Sequence, residues 1–216
     1  MPMQNDREYR DMTMAIVPDV EERSEDFKDE RKVVRGYAST FNEPYTLYEG
    51  DNWRFDEVVD ARAFDNTDMS DVIMQYDHQG RVFARISNNT LTVRPDDRGL
   101  LIEADLGGTE LGRQLFEEIE GGYTNKMSFG FTVDGEETTE EKRPDGYSLI
   151  TRRITSVRKL YDVSAVSIPA NDATSISVRN LTDGVIEKIQ AERLEAEKLE
   201  LRRRKLLLIA KLNGGQ

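Results

Sequence analysis

Ser128 stands in Lys126-Met-Ser-Phe-Gly-Phe131, a hydroxyl within an apolar strand pattern and two residues before a glycine. Phe129, Phe131 and Val133 fall on one face of that strand, and Ser128, Gly130 and Thr132 fall on the other. A glycine on the serine's own face leaves the hydroxyl open to an approaching backbone. A serine hydroxyl is a poor nucleophile near neutral pH until a base takes its proton, and the base works best when a third group fixes its orientation. His78 is the chain's one histidine, at the end of the strand-like Asp71-Val-Ile-Met-Gln-Tyr76, with Gly80 close by. An imidazole ordinarily titrates near neutrality, which suits proton shuttling. In Leu160-Tyr-Asp-Val-Ser-Ala-Val-Ser-Ile-Pro-Ala-Asn171, Asp162, Ser164 and Val166 alternate with Val163, Ala165 and Ser167, so Asp162 can point towards a cleft. A hydroxyl, an imidazole and a carboxylate of this kind can attack a carbonyl. Ser164 and Ser167 are alternative nucleophiles; Ser128 is preferred because its strand follows Gly121-Gly122 and contains Gly130.

These residues need a strand-rich frame, and the pattern supplies one. Residues 1–30 are polar and acidic, with Pro18 interrupting any helix, and read as an arm that has a possible first strand over Met12–Val17. The folded part is expected over 31–180, starting with the β-branched and aromatic run Lys32–Ser39 and a turn at Asn42-Glu-Pro44. Further strands are predicted over Trp53–Val59, Asp71–Tyr76, Thr90–Arg94, Leu100–Leu106, Tyr147–Thr155 and Leu160–Ile168, with a short helix after Asp60. Thr109 is a suitable cap for a helix that carries Leu111, Leu115, Phe116 and Ile119 on one face and stops at Gly121-Gly122. Residues 134–146, rich in Glu, Thr and Lys, read as a mobile hairpin loop. Residues 181–216 form a tail dominated by Glu, Lys, Arg, Leu and Ala, which predicts a long helix from Thr182 to Leu212 with an imperfect heptad.

Composition narrows the chemistry. The 216 residues contain no cysteine, which excludes a disulfide framework, a thiol nucleophile and thiolate-bound zinc, and a single histidine excludes a multi-histidine metal site. No cofactor is expected. A formal charge of −12 repels phosphate backbones and argues against nucleic-acid binding by the folded body. No apolar run is long enough to span a bilayer and no basic-then-apolar leader is present, so the expected location is the cytoplasm where the chain is made. The Gly-x-Ser-x-Gly elbow of ester hydrolases is missing.

Taken in order, Arg35-Gly-Tyr-Ala-Ser-Thr-Phe-Asn42, Ala63-Phe64, the strand running into His78, Lys126–Phe131 and Leu160–Asn171 resemble the prohead, or capsid-maturation, serine proteases of tailed double-stranded DNA phages. The resemblance spans roughly residues 33 to 178. It implies that Ser128 is the nucleophile, His78 the general base and Asp162 the group that orients the histidine. At the last position the family usually has glutamate, and around the histidine this chain reads Tyr76-Asp77-His78-Gln79 where an asparagine before and an aspartate after are frequent. The family is similar in fold to herpesvirus maturation proteases, which implies a mainly β chain built as an antiparallel β-barrel with peripheral helices. The implied partners are the major capsid protein, a scaffold, and the protease itself through self-cleavage, all within the precursor shell inside the host cell. The helical tail would then pair with scaffold or capsid helices. The competing reading is a non-catalytic capsid-assembly or scaffold module that works through the same tail.

Overall fold

The structure, a computed structural model, describes residues 7–18 and 32–166 together with Lys198 and Arg202. The chain divides into two units, residues 1–173 and 174–216. In the second unit the helix expected over 182–212 falls outside the described residues, apart from the helical and exposed Lys198 and Arg202.

The first unit is mainly β. Its spine is a pair of long antiparallel strands, Lys126–Lys142 (β10) and Ser148–Val166 (β11), which stay in register from Lys126↔Val166 to Lys142↔Ser148 through several bulges. On its other edge β11 takes two shorter strands in tandem, both parallel to it. Trp53–Val59 (β5) lies along residues 148–154, and Ile73–Tyr76 (β6) lies along residues 162–165. The chain between them stays on the edge: Asp60 N–H donates to Ile154 O, Val157 N–H to Ala63 O, and Leu160 N–H to Asp68 O. Tyr45–Glu49 (β4) borders β5, Gln79–Arg85 (β7) borders β6, and Glu8–Ala15 (β1) lies antiparallel to β10 on its free side. Val17–Pro18 (β2), Val33–Thr40 (β3), Leu91–Pro95 (β8) and Gly99–Asp105 (β9) make a second sheet in the order β2-β3-β9-β8. One helix, Glu110–Glu120 (α1), is capped as expected, with Gly112 N–H donating to Thr109 Oγ1 over 2.9 Å.

The core lies between the two sheets. Val34, Ala38, Leu100 and Ile102 of the smaller sheet share one apolar cluster with Met127, Phe129, Phe131, Ile154 and Val163 of the larger, and Leu115, Phe116 and Ile119 of α1 join it. Phe129 and Phe131 stack at 4.6 Å, an aromatic contact that adds about 1 kcal/mol to their burial.

Several expectations are corrected. No closed barrel forms among the described residues: no ladder joins the two sheets, although closure needs a hydrogen-bonded seam. Residues 134–142, expected as a loop, continue β10, because cross-strand pairing with β11 replaces the missing apolar pattern. Glu137 faces Arg153 and Thr138 faces Arg152, pairings that stabilise a strand without a core. The stretch after Asp60 is a run of turns, not a helix, and the two strands expected over Tyr147–Thr155 and Leu160–Ile168 are replaced by one, Ser148–Val166, with residues 167 and 168 outside the described residues. Strands β4 and β7 were not anticipated. Residues 8–15 and 17–18, within the segment read as an acidic arm, supply one strand to each sheet, and β1 overlaps the anticipated strand over 12–17.

Candidate active site

β6 and β7 are joined through a two-residue turn, Asp77-His78, closed by the Tyr76↔Gln79 pair. Asp77 and His78 have φ of 47° and 56°, the paired left-handed conformation of a type I′ hairpin turn, which suits the right-handed twist of the flanking strands. Left-handed backbone costs a non-glycine residue on the order of 1 kcal/mol, and aspartate and histidine are among the types that adopt it more readily. Two contacts to β11 offset that cost: Asp77 N–H donates to Ala165 O over 3.0 Å, and His78 N–H donates to Ser164 Oγ over 3.3 Å. The turn is thereby pinned to the end of β11, and the imidazole folds back over the β10–β11 surface.

On that surface the register brings the remaining groups together. Ser128 is the partner of Ser164, and Gly130 is the partner of Asp162. Strand alternation therefore sets Ser128, Gly130, Asp162 and Ser164 on the face opposite Phe129 and Val163. His78 Nε2 lies 2.5 Å from Ser128 Oγ, and His78 Nδ1 contacts Asp162 Oδ1. Ser164 Oγ–H donates to Asp162 Oδ1 over 3.2 Å and lies 3.2 Å from His78 Nδ1. An ionised carboxylate only accepts hydrogen bonds, so Nδ1 carries the imidazole proton and Nε2 is left to accept from the serine hydroxyl. The structure thus brings Ser128, His78 and Asp162 into one hydrogen-bonded line. Ser164 stands on the carboxylate side of the imidazole, and Ser167 falls outside the described residues.

Burial gives the site its electrostatic character. Ser128, Ser164 and Asp162 are fully buried, and the His78 side chain is 14% exposed. In such a low-dielectric setting charge pairs count for more than in water. Arg7 Nη2 lies 2.9 Å from Asp162 Oδ2, and its guanidinium rests on the Tyr161 ring at 4.1 Å. Tyr9 packs against His78 with ring centroids 4.3 Å apart. Gly130 has a different task from the one anticipated. A Cβ there would come within 2.4 Å of Asp162 Oδ2 and 2.8 Å of Tyr9 Cε1, so the missing side chain is the space those two groups occupy. Arg7 and Tyr9 went unnoticed in the sequence. Their signal was the alternation Arg7-Glu8-Tyr9-Arg10, which puts Arg7 and Tyr9 on one face of a strand and Glu8 and Arg10 on the other.

The opposite face of the same elements carries a second buried polar cluster. Glu57 on β5 accepts from Arg10 Nε over 2.7 Å, from Arg10 Nη2 over 2.9 Å and from Arg152 Nη1 over 2.6 Å, and Tyr45 Oη–H also donates to it. Arg152 also pairs with Glu8 and Glu136. Burial pushes the Glu57 carboxyl up, but the Arg10 and Arg152 guanidiniums more than offset this and hold it below the usual carboxylate range. Burial likewise opposes the charge of Arg10 and Arg152, and their carboxylate partners reverse that effect. Among the described residues, no three histidine, aspartate or glutamate side chains group in a way that would hold a metal ion, and no helix is long and apolar enough to cross a membrane.

With this geometry in hand, the comparison with known families is decisive for kinship: residues 18–187 match the caudovirus prohead serine proteases. The chain belongs to that family. No curated protein and no solved structure matches it. The family is one of serine peptidases, in line with the resemblance drawn from the ordered sequence blocks. The matched span includes Ser128, His78 and Asp162 and begins after β1.

Proposed function

We propose that this prohead protease is a serine endopeptidase in which Ser128 is the nucleophile, His78 the general base and Asp162 the group that orients and stabilises the imidazolium. The observation that carries the reading is the continuous line from Ser128 Oγ to His78 Nε2 and from His78 Nδ1 to the Asp162 carboxylate. In the first step Ser128 Oγ attacks the peptide carbonyl carbon while its proton passes to His78 Nε2. The imidazolium that forms faces the buried Asp162 carboxylate, which lowers the energy of the charge-separated state. Collapse of the tetrahedral intermediate expels the amine, which takes the proton from His78. Water then repeats the sequence on the acyl-enzyme and frees Ser128. With Ser128 fully buried, a peptide reaches it only after the groups that cover it move.

The substrates proposed are the scaffolding segment of the major capsid protein, or a separate scaffold, and the protease itself, cut inside the assembling shell in the host cell. Family membership supports this reading, and the helical composition of residues 182–212 suits pairing with scaffold or capsid helices. The test is co-expression of the chain with the major capsid protein of its own phage, read by intact-mass spectrometry. Wild type is expected to yield defined fragments. Ser128→Ala and His78→Ala, each verified as folded, are expected to lower cleavage by at least about 10³-fold. Cleavage that persists in Ser128→Ala would remove the assignment of the nucleophile. Shells that assemble with wild type and stay uncleaved would favour the non-catalytic assembly module.

A further inference from the structure

We propose that Tyr9 on β1 and Arg7, the residue just before that strand, are positioning residues for the catalytic line, Arg7 holding the far oxygen of the Asp162 carboxylate and Tyr9 holding the plane of the His78 ring. The proposal rests on the assignment of Ser128, His78 and Asp162 given above. It concerns a strand that lies before the span matched by the family, residues 18–187.

β1 works as a two-faced splint. Its pairing with β10 sets Glu8 opposite Phe131, Tyr9 opposite Gly130 and Arg10 opposite Phe129, so Glu8 and Arg10 point to one side and Tyr9 to the other. On one side Glu8 and Arg10 are tied into the buried Glu57–Arg152 cluster, with Arg152 donating to Glu8 Oε1 over 2.9 Å and Arg10 to Glu57 Oε1 over 2.7 Å. Those contacts fix the strand. On the other side Arg7 and Tyr9 are carried to Asp162 and His78.

The carboxylate needs that help. Asp162 Oδ1 is engaged by His78 and Ser164, but Oδ2 is buried and accepts no well-aligned hydrogen bond. Arg7 Nη2, 2.9 Å from Oδ2, pairs with that second oxygen and limits rotation of the carboxylate away from His78. The guanidinium is itself oriented by the Tyr161 ring beneath it, on the residue next to Asp162. Tyr9 fills the space left by the absent Gly130 side chain and lies against the imidazole, inclined at 58°. Arg7 pairs with Asp162 and Tyr9 packs on His78, so their effect is expected on the reactivity of the serine.

The test uses the full chain and a fluorophosphonate reagent, which needs no peptide specificity. Ser128 Oγ forms a bond to phosphorus, fluoride leaves, and the hydroxyl proton goes to His78. The second-order rate constant is followed by intact mass in wild type, Arg7→Gln, Arg7→Lys and Tyr9→Leu, each with a thermal melt. Arg7→Gln is expected to react about 10-fold to 10²-fold more slowly than wild type, the scale of loss that follows a misplaced catalytic group. Arg7→Lys should recover part of the rate, Tyr9→Leu should lose severalfold, and all should melt close to wild type. A rate for Arg7→Gln within twofold of wild type would overturn the proposal. So would an Arg7→Gln chain that does not fold, since Arg7 would then serve the fold and not the carboxylate. Ser128→Ala separates the two levels of inference: if it is still labelled at the wild-type rate, the assignment of Ser128 fails, whereas an inert Ser128→Ala with a normal Arg7→Gln leaves that assignment standing and removes only the role of β1.

Discussion

Gly130 shows how much of the catalytic geometry depends on an atom that is absent. Asp162 is one methylene shorter than the glutamate usual in similar proteases, and it still meets the imidazole because its cross-strand partner has no side chain and leaves room for the carboxylate. Gly130→Ala is expected to cut activity by at least about 10²-fold, since its Cβ would sit 2.4 Å from Asp162 Oδ2 and displace the carboxylate from His78. The same overpacking should lower stability by about 1 to 3 kcal/mol. Activity and denaturant melts measured on the same sample check both, and an active Gly130→Ala would mean that the carboxylate is not held as described. The three residues proposed to react, which the structure brings together, could be singled out in the sequence because each stands in its own apolar block: Ser128 in a strand, His78 at a strand end, Asp162 in an alternating run. The residues that hold them could not. Ser164 was legible as a second hydroxyl near the site, but only the register of two strands shows it bridging His78 and Asp162. Arg7 and Tyr9 lie in a polar, acidic stretch, where local composition reads as an arm and the contacts that order it come from residues far along the chain, Arg10 reaching Glu57, Tyr9 reaching His78 and Arg7 reaching Asp162.

At the level of elements, local signals were reliable where an element could be recognised by its ends or by one buried face. Helix α1 is the clearest case, with Thr109 at its start, Gly121-Gly122 at its end and an apolar stripe between. One member of that stripe differs: Leu111 is 39% exposed and Gly112 is buried in its place, because close approach to the Leu106 carbonyl leaves no room for a side chain there. Thr109→Ala removes the hydrogen bond to Gly112 N–H and is expected to cost about 1 kcal/mol, read as a lower midpoint in urea unfolding. A midpoint unchanged from wild type would show that the cap contributes nothing to the stability of the sheets it packs on. The outer half of the β10–β11 hairpin was illegible for the opposite reason. Its residues are largely exposed, so it lacks hydrophobic alternation, and it is specified by cross-strand partners that a linear reading cannot pair. Strands β5 and β6 were themselves anticipated, but their tandem parallel placement on β11 was not, since adjacency to one long strand is a property of topology alone.

For the whole molecule, the consequential feature is that the first unit is joined across its larger sheet by a buried charge cluster in addition to the apolar core. Glu57 on β5 is bonded by Arg10 on β1, Arg152 on β11 and Tyr45 on β4, so one carboxylate ties four strands together, including the strand that carries Tyr9 and directly follows Arg7. This predicts a specific acid sensitivity. The Glu57 carboxyl is held below its ordinary value of 4.5 in the folded state, which means that the unfolded chain binds the proton more readily than the folded one. Its contribution is therefore fully present above about pH 4.5 and is lost as pH falls through the lower folded value. Asp68, Asp71 and Asp96 are shifted in the same direction by hydrogen bonds and basic neighbours, partly against burial, and they add to the trend from the surface. Melting temperature should be steady near neutrality and fall as the solution is acidified below about pH 4.5. Glu57→Gln should be less stable at pH 7 by about 3 to 5 kcal/mol, because Arg10 and Arg152 would keep their charge in a buried place with their shared partner gone. Its stability should also fall less steeply than that of wild type between pH 5 and pH 3. Parallel pH profiles for wild type and Glu57→Gln would show that acid acts through the surface carboxylates. A separation of the two curves would place acid unfolding at the junction of β1, β4, β5 and β11, and activity should then disappear together with the anchoring of β1.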